Sequence, residues 1–307
     1  MPTLVSSLAP ALLLVAAAAL GGCLARPGGG QGGPAGVVRG APAPETATDP
    51  ARPATILVCA AASLQEVLQA AAAEFSRQRP EIRVQFSFGS SGALARQILA
   101  GAPADLFIAA GPAPMEWLVR EGLVDPAAVQ PLAGNQVVLI VPREGAAGAG
   151  PAEGAAGAGL PGGGPGAGAP PLVRGWEDLR DERVRPVAMG DPAHVPAGEY
   201  GSQVLEHLGL WEAVAPRLVL DPDVRAVLHH VAAGAARAGI VYRTDAAASN
   251  QVQIVAEAPP GSHRPVVYPL AVLPGSRHRA AAEAFASFLL SDRGQALFQE
   301  HGFLPGR

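Results

Sequence analysis

The segment Ile56-Leu-Val-Cys-Ala-Ala-Ala-Ser63-Leu-Gln-Glu-Val67 constrains the fold more than any other in the chain. It opens as a short apolar run with β-branched residues, passes through small alanines to one hydroxyl, and continues with Leu64, Val67, Leu68 and Ala71 at helical spacing. That order predicts a buried parallel strand, a tight turn, and a helix with Ser63 at or next to its N-cap. Such a turn gathers free backbone N–H groups and a hydroxyl in front of the positive end of a helix dipole. The place suits an anion, although a serine at a lone junction of this kind is more often a plain helix cap.

The same junction recurs downstream. Pro80-Glu-Ile-Arg-Val-Gln-Phe-Ser-Phe88 alternates as a strand, runs into Gly89-Ser90-Ser91-Gly92, and gives way to Ala93, Leu94, Ile98 and Leu99 in a helical pattern. Asp105 to Ala110 reads as a short buried strand and Met115 to Arg120 as a helix. Strands alternating with helices predict an α/β fold with a mostly parallel sheet. Ligands of such sheets bind outside the carboxyl ends of the strands, where Ser63 and Ser90-Ser91 would stand.

Asn135-Gln-Val-Val-Leu-Ile-Val141 reads as a long apolar strand that crosses into a second lobe. Two more junctions follow there. Val187-Ala-Met-Gly190 leads through Asp191 and His194 to Pro196-Ala197-Gly198 and a helix from about Gly198. Leu218-Val-Leu220 leads to Asp223-Val224-Arg225, with an aspartate of the capping type. Gly239-Ile-Val-Tyr242 is a short strand ending in a phenol, and Tyr268 to Leu273 reads as a strand returning to the first lobe.

Composition removes several function classes. The 307 residues carry a formal net charge of -4 with scattered basic groups, against the basic stripe of a nucleic-acid binder. Every basic residue is arginine, so neither a phosphate-loop lysine nor a Schiff-base lysine exists. Two cysteines, Cys23 and Cys59, make neither a zinc cluster nor a disulfide scaffold. No serine sits in a G-x-S-x-G elbow, which disfavours an enzyme with Ser63 as nucleophile.

The ends and the middle differ from the patterned body. Leu4 to Leu20 is an alanine-rich apolar run that reads as an export signal, residues 1–22. Leu20-Gly21-Gly22-Cys23 resembles the lipobox of bacterial lipoproteins, which implies lipidation of Cys23, although no basic residue precedes the run. Residues 23–54 hold Gly, Pro and Ala with almost no large apolar side chain and read as a tether from that lipid anchor. Residues 144–171 have the same character and read as a disordered surface insertion. The expected organisation is a first lobe from 55–134 and 263–307 and a second from 135–262.

Ala60-Ala-Ala-Ser63-Leu, Phe88-Gly-Ser-Ser91 with Leu94-Ala-Arg-Gln-Ile98, Gly101-Ala-Pro-Ala-Asp105-Leu-Phe-Ile108, Gly190 to Gly198, Asp223-Val-Arg225 and Gly239-Ile-Val-Tyr242 together resemble the molybdate-binding proteins of ABC importers. The likeness runs in order from about Thr55 to Phe303. It implies the two-lobed type II periplasmic-binding-protein fold, with the ligand in the cleft between lobes. It also implies an oxyanion-binding set: hydroxyl and N–H at Ser63 and Ser91, backbone N–H at Ala197 and Val224, and the phenol of Tyr242. Gly92 stands where some members have another hydroxyl, a difference not expected to abolish binding. The implied ligand is molybdate, with tungstate of nearly the same size and charge, or another tetrahedral oxyanion such as sulfate as the alternative. The implied partners are a membrane permease and its ATPase. The resemblance implies no cofactor, no metal-cation ligands and no catalysis, for a monomer on the outer face of the cell membrane or in the periplasm.

Overall fold

The computed structural model describes residues 53–143 and 172–306. The export signal, Cys23, nearly all of the tether and the 144–171 insertion lie outside them. In chain order the first lobe runs β1 (Ala54–Ala61), α1 (Gln65–Gln78), β2 (Ile82–Gly89), α2 (Ser91–Leu99), β3 (Leu106–Ile108), α3 (Pro112–Arg120) and β4 (Gln130–Asn135). The second lobe holds β5 (Val137–Pro142), β6 (Val187–Gly190), α4 (Pro196–His207), α5 (Trp211–Val214), β7 (Leu218–Asp221), α6 (Val224–Ala232), β8 (Ala238–Tyr242), α7 (Arg243–Ala247) and β9 (Val252–Glu257). The chain returns through β10 (Val266–Val272), α8 (Arg279–Leu290), α9 (Asp292–Glu300) and β11 (Leu304–Pro305).

Two sheets result, ordered β11-β4-β10-β3-β1-β2 and β7-β6-β8-β5-β9. Pairing is parallel among β1, β2 and β3 and among β6, β7 and β8. The crossing strands β4, β5, β9, β10 and β11 pair antiparallel, so each sheet is mixed rather than mostly parallel. The parallel halves carry the strand-to-helix junctions. All of those junctions therefore open toward the carboxyl ends of their strands, which is where a ligand can reach them.

The apolar run at 135–141 corrects the expected crossover. It is not one strand: Asn135 ends β4 in the first sheet, Gln136 breaks the run, and Val137 begins β5 in the second. β4 itself, Gln-Pro-Leu-Ala-Gly-Asn, has no alternating pattern and includes a proline and a glycine, which hides it from sequence reading. Helix α4 begins at Pro196, two residues before the expected start, with proline in the first turn, where no N–H is needed.

Packing follows the apolar periodicity. Val67, Leu68, Ala71 and Phe75 bury one face of α1, and Phe75 meets Phe285 and Phe288 of α8 at ring-centroid distances of 5.1 and 5.4 Å. In the second lobe Gly198 lets α4 sit against β6. A Cβ there would lie 1.9 Å from the carbonyl oxygen of Gly190, so only glycine fits.

Candidate functional site

Four junctions, two from each lobe, meet at one small cavity. It is lined by Ala61, Ala62, Ser63, Gly89, Ser90, Ser91 and Ala110 on one side, and by Val195, Pro196, Ala197, Asp223, Val224 and Tyr242 on the other. The structure brings together all five residues of the implied oxyanion set. No arginine or histidine lines the cavity. Its volume is about 10 Å³, roughly one water molecule by that measure.

Each junction leaves its donors free for a local reason. Ser63 is buried in a short 3-10 turn, Ala62–Leu64, between β1 and α1, rather than at the cap itself. At α2 the capping role falls to Ser90, whose Oγ accepts from Ala93 N at 3.3 Å, so Ser91 is the first helical residue and is not spent as a cap. Asp223 caps α6 by accepting from Arg225 N at 2.8 Å and Ala226 N at 3.0 Å, which leaves the N–H of Val224. Val195 and Pro196 offer α4 no capping oxygen, so the N–H of Ala197 stands in front of the helix. Among the described residues, no backbone hydrogen bond uses the N–H groups of Ser91, Ala197 or Val224. These are the unpaired first-turn donors that an anion satisfies.

The side-chain donors are held too. Ser91 Oγ accepts from Ala110 N at 2.9 Å, so its own hydrogen is available elsewhere. Tyr242, at the end of β8, is buried and donates its Oη–H to the carbonyl of Ala110 at 3.2 Å, across the lobes. Burial first, then the neighbouring Tyr268 and Tyr200, push its ionisation well above the ordinary phenol value, so it stays a donor. The phenol has one hydrogen, and giving it to a bound anion means turning it away from Ala110. Ser63 Oγ lies 3.1 Å from Tyr268 Oη, and Tyr268 accepts from Asn135 Nδ2 at 3.0 Å. Tyr268 and Asn135 escaped sequence reading, because their partners lie 205 and 133 residues away along the chain.

The two lobes touch beside the cavity. Gly92 N donates to His194 O at 3.0 Å. Arg225 of α6 pairs with Glu66 of α1 and approaches Asp245 at 2.9 Å, a contact misaligned for a true hydrogen bond. Asp245 is fully buried, and that burial pushes its carboxyl up to about 7 despite Arg225. Ser63 also lines a larger cavity of about 360 Å³, together with Glu66 and Glu300.

Other chemistry-bearing residues have structural places. Cys59 is buried in β1, and burial with the nearby Asp105 pushes its thiol up to about 11, away from nucleophile behaviour. Asp105 accepts from Leu57 N at 2.7 Å and orients the start of β3. Asp191 accepts from Ala193 N at 2.9 Å within its turn. Among the described residues no group of three or more His, Cys, Asp or Glu could hold a metal ion, and no helix is long and apolar enough to cross a membrane.

Residues 56–304 match the family model described as bacterial extracellular solute-binding protein. The "Putative ABC transporter substrate-binding lipoprotein YvgL" of Bacillus subtilis is 34% identical over 267 residues, covering 87% of this chain and 93% of that protein. The molybdate-binding protein ModA of Haemophilus influenzae is 37% identical over 252 residues, covering 81% and 90%. In fold, the periplasmic molybdate-binding protein of Azotobacter vinelandii superposes with a TM-score of 0.67 at 24% identity, over 82% of this chain and all of that one. The sheets, the two-lobed type II architecture and the sequence matches agree: this chain belongs to the bacterial extracellular solute-binding proteins, among relatives that include ModA, and is a binding protein rather than an enzyme.

Proposed function

We propose that this protein captures molybdate, and tungstate with it, between its two lobes and delivers it to an ABC importer. The observation that carries this reading is the convergence of Ser63, Ser91, Ala197, Val224 and Tyr242 on one cavity without a cationic side chain. A small dianion there is met by hydroxyl and N–H dipoles at four strand-to-helix junctions and by a phenol, giving charge-assisted hydrogen bonds without a counter-charge. Neutral donors suit a carrier that must release its cargo. Further support comes from the ModA relatives at 37% identity.

Selectivity against sulfate rests on size, since the donors are the same for each tetrahedral oxyanion. Because the cavity is small, the lobes part to admit the ligand and close on it. Calorimetric titration of the purified protein with molybdate, tungstate and sulfate tests this reading. The expected result is tight and similar binding of the first two and much weaker binding of sulfate. Preference for sulfate, or no uptake of any of them, overturns it.

We also propose that the mature chain begins at a diacylglyceryl-Cys23 and works as a monomer on the extracytoplasmic face, beside a permease and its ATPase. The name of the Bacillus subtilis relative supports the lipoprotein part. A Cys23→Ala chain is expected to leave the membrane fraction; retention there contradicts the anchor.

A further inference from the structure

Beside the cavity runs a buried chain of hydrogen bonds that ends at Ser63, while its other members, Asn135, Thr244 and Tyr268, do not line the cavity. Asn135 Nδ2 reaches both Thr244 Oγ1, at 2.8 Å, and Tyr268 Oη, at 3.0 Å. Tyr268 Oη in turn lies 3.1 Å from Ser63 Oγ. Asn135, Thr244, Tyr268 and Ser63 are all buried. The directions of these bonds follow from what each atom can do. Asn135 Oδ1 receives the backbone N–H of Gln136 at 2.8 Å, and an N–H can only donate, so the oxygen of the amide faces Gln136. The amide nitrogen therefore faces Thr244 and Tyr268, and gives one hydrogen to each.

Tyr268 Oη accepts from Asn135, and its own hydrogen needs an acceptor. Among the described residues its other hydrogen-bond neighbour is Ser63 Oγ. If Ser63 donated to Tyr268 instead, a buried phenol hydrogen would be left unpaired, which costs more than the bond it would make. Tyr268 therefore donates and Ser63 accepts, which turns the Ser63 hydrogen away from Tyr268 and leaves it free for an acceptor in the small cavity that Ser63 lines. Burial also raises the ionisation of Tyr268 far above the ordinary phenol range, so this donor is never lost at physiological pH.

We propose that Asn135 and Tyr268 are positioning residues that fix the polarity of the Ser63 hydroxyl, so that it can only offer a hydrogen to the bound oxyanion. The inference rests on reading the cavity as an oxyanion site. It goes beyond that reading by assigning two residues outside the site a share of its affinity, exerted through Ser63. Asn135 ends β4 at the crossover between the lobes, and its bond to Thr244 ties this relay to the second lobe.

A double-mutant cycle on the full-length chain, read by calorimetry with sodium molybdate, tests it. Tyr268→Phe removes the hydrogen that orients Ser63 and is expected to weaken molybdate binding by about tenfold, the usual scale of one hydrogen bond. In a Ser63→Ala background the same change is expected to cost less than about twofold, because the group it acts on is gone. Equal losses in both backgrounds, or no loss in either, overturn the positioning role. Should Tyr268→Phe fail to fold, Asn135→Asp serves the same cycle. Its oxygen in place of Nδ2 draws the Tyr268 hydrogen away from Ser63, so its cost is expected to be larger with Ser63 present than with Ser63→Ala. Equal cost again overturns the proposal. A wild-type chain that takes up no molybdate removes the oxyanion reading and this inference with it. Molybdate binding that Ser63→Ala weakens but Tyr268→Phe does not removes the inference alone.

Discussion

The backbone N–H of Gly92 donates to the carbonyl oxygen of His194 at 3.0 Å, joining the start of α2 in the first lobe to the turn before α4 in the second. The contact is tight because residue 92 has no side chain. A Cβ there would lie 2.6 Å from His194 O and 2.9 Å from its Cα, both backbone atoms of the opposite lobe. Gly92 gives the cavity no hydroxyl; its contribution is to let the lobes approach.

Gly92→Ala should therefore hold the lobes apart. Overpacking of this kind costs about 1–3 kcal/mol. Here the molecule can escape it by opening, so the cost falls on the closed, ligand-holding form. Molybdate affinity is expected to drop about tenfold or more, while the melting temperature of the ligand-free protein stays nearly constant. An unchanged affinity would show that the Gly92–His194 approach has no part in closure.

The ion pair between Glu66 and Arg225 spans the same cleft, yet the side chain of Glu66 is 45% exposed. Glu66→Gln is expected to cost under about 1 kcal/mol of binding energy, through faster ligand release, and to matter less as salt is added. Arg225→Ala is a different case, since it strips the cation from Asp245, whose side chain is 0% exposed. Its loss of folding stability, measured in denaturant, should exceed that of Glu66→Gln several-fold at pH about 8. Equal losses would mean that Asp245 does not depend on Arg225.

Asp245 also sets a pH dependence. Its folded-state ionisation, about 7, lies above the ordinary carboxyl value of 3.8, chiefly through burial. The native state therefore holds this proton where the unfolded chain has released it. The stabilisation is complete below about pH 4, declines as pH rises, and is gone above about pH 7. Asp245→Asn lacks that decline. The stability difference, variant minus wild type, is expected to grow between pH about 4 and 7 by up to about 4 kcal/mol, and then level off. Denaturant titrations at several pH values check the sign; a flat difference contradicts it.

Much of the architecture is legible from residue order alone. Ile56 to Ala71 and Phe88 to Leu99 switch from strand to helix periodicity across a hydroxyl-bearing turn, and such switches place helix starts at strand ends. That is why Ser63, Ser91, Ala197 and Val224 lie at junctions and meet at one cavity. The rest depends on distance along the chain. β4 has no periodicity of its own and exists because β10 and β11 pair with it. The relay from Asn135 through Tyr268 to Ser63, and the Gly92–His194 contact, join residues about a hundred or more positions apart, and no local pattern marks them.

The most direct test of a dianion held by uncharged donors from both lobes is the molybdate affinity of the Ser63→Ala, Tyr242→Phe double variant, measured by calorimetry against wild type. Each change removes one hydrogen bond to a charged group, worth about 1.5–3 kcal/mol. The expected result is a combined loss of a few kcal/mol, a hundredfold or more in Kd, with folding intact. Binding as tight as wild type would contradict it and place the anion elsewhere.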